Sequence, residues 1–310
     1  MNLLAIKREH LRQWRYNRYS QIKYYNFWRD ERPEEMWFSR FVMHHFPDCK
    51  QRINFTSVLG PVELMNDRHY GVNIFYTGEN MHTDHFSAHQ KRYQTQHYDL
   101  SIGFDYDNPG NYLRLPLWVM WHFPPNATHE QIDTLCHDMS HPTIGERHKF
   151  CALVCSHDQN GLRKQIMSSL EKIGHVDSAG HYCQNTDSLL TEFADDKPRF
   201  LQQYRYNICP ENSDHTGYVT EKIFDALKSG CIPIYSGSNN NPEPEVINHN
   251  AVLFWSTDNN NQELMDQIRN LENSHETYLH FAHQPRLNPQ ASDVVWEYYN
   301  LLHNKLKELL

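Results

Sequence analysis

The amino-acid sequence predicts an α/β protein of two Rossmann-like, doubly wound domains, and three observations carry that prediction. Short β-rich apolar runs alternate with helical stretches along most of the chain. A polar segment at residues 140–147, with Pro142 and Gly145, separates one series of alternation from the next. The 310 residues, 39% hydrophobic and 22% charged, have a globular composition and suffice for two domains.

Residues 1–20 form a basic, aromatic extension. Residues 1–29 carry seven Lys or Arg against one Glu, interleaved with Trp14, Tyr16, Tyr19, Tyr24, Tyr25, Phe27 and Trp28. Such a helix either touches an anionic membrane surface or packs on its own protein with its charges solvated, and the second is the commoner use. The first domain, 21–146, opens with a strand at 22–27 and a helix at 33–46 that has Pro33, Glu34 and Glu35 in its first turn. Further strands are expected at 52–59, 71–76 and 98–104. The second domain, 147–285, alternates a strand at 149–155, a helix at 160–173, a strand at 204–209, a helix at 218–228 and a strand at 232–235. The pattern continues with a strand at 251–255 and a helix at 262–271. Residues 286–310 contain a terminal amphipathic helix with Val295, Tyr299, Leu302, Leu306 and Leu309 on one side.

A formal charge of -9 argues against a nucleic-acid partner. Seven cysteines, an odd count without framework spacing, suggest reduced thiols in a cytosolic protein, and Cys151 and Cys155 lie in a strand rather than a zinc knuckle. No stretch approaches the roughly 20 apolar residues of a membrane span, and the opening MNLLAIKREH has too short an apolar core for a signal peptide. The expected location is therefore the cytoplasm. Phosphate loops of the GxxxxGK[ST] and GxGxxG types are missing, against a kinase, NTPase or dehydrogenase, and there is no GxSxG elbow.

The chemistry concentrates in residues 204–238, YRYNICPENSDHTGYVTEKIFDALKSGCIPIYSGS. A strand stops at Pro210, a polar loop follows, and a helix opens with Glu221 and Lys222 in its first turn, so backbone N–H groups, the helix dipole and a lysine all face the loop. That suits a diphosphate. Gly217 permits a close turn before the helix and Gly230 can end it. Tyr218, Glu221 and Lys222, three and four apart, would share one face and touch one ligand. The spacings of His82, His85 and His89, and of His137 and His141, invite a metal, but 22 histidines produce such spacings by chance and no HExxH occurs, so no metal site is expected.

The segment ENSDHTGYVTEK (211–222) with IPIYSGS (232–238) resembles the α-1,3-fucosyltransferases of glycosyltransferase family ten. FYTGEN (75–80), YDLSIGFD (98–105), YLRLPLW (112–118) and NFW (26–28) are similar to bacterial members in the same order, a likeness spanning roughly 20–280. The resemblance implies a GT-B architecture with an acceptor-binding first half, a GDP-fucose-binding second half and transfer with inversion between them. It also implies Glu79 as the base that deprotonates the acceptor hydroxyl, with Arg163 and Lys222 neutralising the departing diphosphate. Asn212, Tyr218 and Glu221 would hold nucleotide and sugar, while Trp28, Trp118 and Trp121 could stack acceptor sugars or equally be core. One carboxylate suffices, because GDP leaves as a stabilised anion that needs charge rather than a proton. No cofactor is held tightly, leaving a divalent cation only the stimulatory role of screening GDP.

The implied reaction moves fucose to O3 of N-acetylglucosamine in a β-1,4-galactosyl unit of an oligosaccharide or glycolipid, giving a Lewis-x-type surface glycan. A bacterial enzyme peripheral to the inner membrane through its N-terminal extension fits that reading. Use of another GDP-sugar or acceptor hydroxyl is the alternative, and a glycan-binding protein without turnover is a third.

Overall fold

The computed structural model describes residues 3–65, 67–86, 93–107 and 110–310. These form two compact units, Met1–His129 with Val295–Leu310, and Glu130–Val294.

The first unit contains helices α1 (Leu3–Tyr16), α2 (Trp37–His45), α3 (Val62–Met65) and α4 (Leu117–His122). Its strands are β1 (Ile22–Tyr25), β2 (Ile53–Thr56), β3 (Val72–Tyr76), β4 (Leu100–Gly103) and β5 (Tyr112–Arg114). All pair in parallel in the order β1-β2-β3-β4-β5, with Ile22 opposite Ile53, Ile53 opposite Val72 and Ile74 opposite Leu100. Every residue of β2, β3 and β4 is buried, as a parallel sheet covered on both faces requires. The sheet's aromatic core stacks Phe38 on Phe55, with ring centroids 4.6 Å apart, and the Tyr24 hydroxyl bonds Ser39 Oγ at 2.8 Å. Helix α2 starts at Trp37 rather than Pro33. Residues 33–36 form a turn in which Glu35 N–H donates to Arg32 O, and Met36, at ψ 146°, has left the helical region.

The second unit runs from α5 (His129–Ser140) through β6 (Lys149–Leu153), α6 (Leu162–Leu170), β7 (Val176–Ser178), α7 (Ser188–Thr191), α8 (Lys197–Leu201), β8 (Tyr204–Ile208), α9 (Glu221–Lys228), β9 (Ile232–Tyr235), β10 (Leu253–Phe254), α10 (Gln262–Asn273) and α11 (His275–Ala282). Its parallel sheet has the order β10-β9-β8-β6-β7. The chain reverses direction across β6, so this unit is doubly wound as expected; the strands described in the first unit run one way without reversal. Cys151, Leu153, Tyr206, Ile208, Ile232 and Ile234 from the sheet pack with Ile166 and Leu170 of α6 and Ile268 and Leu271 of α10.

The division between units stands ahead of residues 140–147, which sequence marks as the linker. Ser292 Oγ donates to Asp133 Oδ1 at 2.9 Å and Arg286 N–H to Ser140 O at 2.9 Å, tying α5 to the second unit. Arg147 is buried and donates to Tyr204 O at 2.8 Å and Ser229 O at 2.7 Å, so the stretch is clamped to β8 and the end of α9. Gly230, at φ +75°, follows α9, and a Cβ there would lie 2.4 Å from the Arg147 guanidinium.

The last helix, α12 (Ala291–Leu309), does not form a separate appendage: from Val295 on it belongs to the first unit. Val295, Tyr299, Leu302 and Leu306 are buried along its expected apolar side. The Tyr299 hydroxyl donates to Pro124 O at 2.7 Å, and its ring meets Trp37 edge to face at 5.8 Å.

Candidate active site

Two sites emerge, one in each unit. In the second unit, β6 and β8 are adjacent strands whose connections leave in opposite directions, which opens a crevice beyond their carboxyl ends. The pocket there is lined by Leu153, Val154 and Cys155 at the end of β6, by Asn207 to Pro210 at the end of β8, and by the cations Arg163, Lys197 and Lys222. Its volume, ≈ 20 Å³, admits one water-sized group, the size of a phosphate oxygen.

Arg163 is buried in the first turn of α6. Its guanidinium donates to His157 O at 3.2 Å, Pro210 O at 3.1 Å and Asn212 Oδ1 at 2.9 Å, so uncharged acceptors fix its plane. The structure thus joins Arg163 and Asn212 across 49 residues. Asp158 bonds the amides of Arg163 and Lys164 at 3.1 and 2.9 Å, occupying the start of α6.

Lys222 is held differently. Its ammonium donates to Thr220 Oγ1 at 2.7 Å and to Glu211 Oε2 at 3.3 Å, and lies 3.4 Å from Glu221 Oε1. Burial alone would lower its pKa, but the carboxylates of Glu211 and Glu221 raise it above the ordinary lysine value. Burial works to raise Glu221, yet Lys222 and Lys197 hold it below the usual glutamate value. Lys222 is therefore a fixed cation. Lys197, from α8, is tethered to Asp225 Oδ2 at 2.7 Å.

Sequence reasoning missed Glu211 and Lys197. Glu211 has a fully buried side chain and accepts from Thr220 N–H at 2.8 Å, Thr220 Oγ1 at 2.7 Å and Lys222. Its carboxylate sits at the start of α9, where the sequence led us to expect substrate phosphate. Gly237, at φ +150°, makes room for it, since a Cβ would stand 2.8 Å from Glu211 Cγ and 2.9 Å from the Tyr235 hydroxyl. Lys197 lies 28 residues from Asp225, and Glu211, although it opens the 211–222 segment, has no periodic spacing that would show its bond to Lys222 eleven residues on.

Tyr218 requires a correction. Helix α9 begins at Glu221 after an extended Thr220 with φ -109° and ψ -166°, so Tyr218 does not share a helical face with Glu221 and Lys222. It is buried in the preceding loop and does not line the pocket.

In the first unit, a cavity of ≈ 670 Å³ is lined by Glu79, Trp28 and Trp121, together with Asp30, Glu35 and Arg40 among others. That volume is in the range of ligand sites. Glu79 follows β3 by three residues, and its N–H donates to Thr77 Oγ1 at 3.0 Å. Gly78 backs closely on Leu117, 3.1 Å from where a Cβ would be, which seats the Glu79 loop against α4. Trp121 is 63% exposed, and Trp28 is half-buried with its ring edge-on to Phe27. Trp118 is 0% exposed and packs against Phe123 and Tyr298, so it is core rather than a sugar platform.

His82 Nε2 bonds Asp105 Oδ1 at 2.9 Å, and His85 packs edge-on against Phe86; His89 lies outside the described residues. The rings of His137, in α5, and His141, just after it, lie tilted with centroids 4.9 Å apart. All seven cysteines are free thiols, and burial pushes Cys155, beside the cationic pocket, up to about 11.

Two parallel α/β units, the second presenting paired cations at its strand ends, define a glycosyltransferase fold of the GT-B type. A crystal structure of an α1,3-fucosyltransferase with GDP-fucose shares this fold, with a TM-score of 0.58 and 22% identity over 91% of this chain and 89% of that one. Residues 144–298 match the family model for the C-terminal part of glycosyltransferase family 10 (fucosyltransferase), and residues 22–121 match the α-(1,3)-fucosyltransferase FucT N-terminal domain. The chain belongs to glycosyltransferase family 10.

It is 27% identical to the α-(1,3)-fucosyltransferase FucT of Helicobacter pylori over 91% of its own length and 63% of that protein's, so it spans less than two thirds of this relative. The GDP-fucose protein O-fucosyltransferase 3 of Mus musculus is 29% identical over 43% of this chain and 28% of that protein.

Proposed function

We propose that this chain transfers L-fucose from GDP-fucose to O3 of an N-acetylglucosamine within a β-1,4-galactosyl-N-acetylglucosamine acceptor, with inversion, giving a Lewis-x-type product. The observation that carries the donor half is the meeting of Arg163 and Lys222 at one pocket beyond β6 and β8. The Arg163 guanidinium is bonded to uncharged oxygens and offers its positive charge to a diphosphate oxygen. Lys222 adds a second charge whose position Glu211 and Thr220 fix in advance, so little reorganisation accompanies departure of GDP. Asn212 orients the arginine, and Glu221 takes sugar or ribose hydroxyls as it balances Lys222. In the first unit Glu79 removes the proton from the attacking hydroxyl, and Trp28 and Trp121 offer faces to acceptor sugars. The mouse relative, whose name describes a protein acceptor, keeps a second reading open in which the donor is the same and the acceptor hydroxyl differs.

The test begins with thermal shifts in GDP-fucose, GDP-mannose and UDP-sugars, followed by transfer to N-acetyllactosamine and to peptide acceptors. GDP-fucose should stabilise the chain most; no shift with any GDP compound would sink the proposal. Glu79→Ala should abolish transfer while the GDP-fucose shift persists, and loss of the shift would instead place Glu79 on the donor side. The same transfer assay in EDTA should retain basal activity, since Arg163 and Lys222 supply the charge that a metal would.

A further inference from the structure

The one fully buried residue of helix α1 is polar, and its largest apolar side chains face away from the unit. Beside half-buried Ile6 and Tyr16, Gln13 Nε2 donates to Asn26 Oδ1 at 2.7 Å; in the turn just after the helix, Asn17 Nδ2 donates to Tyr24 O at 2.7 Å and Asn17 Oδ1 accepts from Tyr24 N–H at 2.7 Å. Gln13 and Asn17 are buried. The side turned away carries Leu3, Leu11 and Trp14, exposed by 74%, 45% and 52%. Leu3, Lys7, Leu11, Trp14 and Arg18 follow helical spacing into one stripe, flanked by Arg8, Arg12 and Arg15, and all these cations are exposed. Arg18 lies over the rings of Trp14 and Tyr19 at 5.3 and 5.0 Å. The helix's one carboxylate, Glu9, is held by Arg29 at 2.8 Å and Gln13 at 3.2 Å and also lies 3.6 Å from Arg12, a pair that leaves the other four cations of this face without a carboxylate on their own helix.

A helix facing only water has no use for outward leucines and tryptophan, and a helix meant to pack on its own core would turn them inward. We infer that α1 docks this chain on the anionic headgroup surface of a lipid bilayer. Leu3, Leu11 and Trp14 enter the headgroup layer, while Lys7, Arg8, Arg12, Arg15 and Arg18 meet lipid phosphates. Charge selects this occupant over a second copy of the chain, since a two-fold contact would set the same five cations against themselves. In a chain of formal charge -9 the helix is a local exception, so an anionic surface attracts this face and repels much of the rest.

Co-sedimentation of the whole chain with phosphatidylcholine vesicles, with and without phosphatidylglycerol, tests it. Phosphatidylglycerol should raise the bound fraction by about tenfold or more, and high salt should remove that gain. Two variants separate the contributions: Arg8→Gln/Arg12→Gln/Arg15→Gln and Leu11→Ser/Trp14→Ser should each lose binding while the thermal midpoint stays unchanged, because every altered side chain is exposed. Quenching by bromolipid of the fluorescence that Trp14→Phe removes would report entry into the headgroup layer. Equal sedimentation with both vesicles, or variants that bind like the parent, would overturn the inference. So would a dimer in sedimentation velocity that the same substitutions dissociate.

Discussion

Glu211 makes Lys222 a fixed charge, and that dependence has measurable consequences. Replacing Glu211 with Gln keeps the shape but leaves the lysine without its buried counter-charge, and should cost roughly 3 kcal/mol of unfolding free energy, read from urea titration. Glu221 adds a pH signature. Its folded pKa lies below the ordinary value of 4.5, so it binds its proton less readily in the native state, and its stabilisation is complete above that value and lost as pH falls through the folded pKa. Urea titrations across the acid range should show this component in the parent and not in Glu221→Gln; a parallel fall in both would remove Glu221 from the account. The pairing of Glu211 with Lys222 crosses an irregular loop, which explains why no periodic pattern announces it.

At the level of elements, the strands were legible where apolar residues run together. Ile232–Tyr235 has the expected bounds, and β2, β3, β4, β6 and β8 lie inside theirs. β5 and β7, of three residues each, are too short to show a period, and α2 lost its expected first turn to local bonding around Arg32 and Glu35. The site divided along the same line. Arg163 and Lys222 are readable as helix starts beyond strands, whereas the face expected for Tyr218 depends on where α9 begins. Helix α4 supplies a direct contrast, because Trp118 and Trp121 are three residues apart and face opposite environments. Trp118→Ala should cost about 3–5 kcal/mol of stability, and Trp121→Ala should leave stability within about 0.5 kcal/mol while raising the acceptor KM. Equal losses of stability in both would contradict the burial pattern.

For the whole molecule, the proposed division of labour assigns the substrates to different units. In hydrogen exchange, GDP-fucose should protect the segments around 154–163 and 209–222, and an acceptor oligosaccharide those around 28–36 and 117–125. Donor protection confined to the latter segments would reverse the assignment. The return of residues 295–310 to the first unit also sets an order of assembly. Glu130–Val294 is one uninterrupted stretch, while the first unit is split across the chain. On a ribosome, Tyr24, Phe38 and Phe55 emerge well before Tyr299, Leu302 and Leu306, so the early half must wait, incompletely covered, through synthesis of the whole later unit. Chaperone demand during translation should therefore fall on the amino-terminal unit.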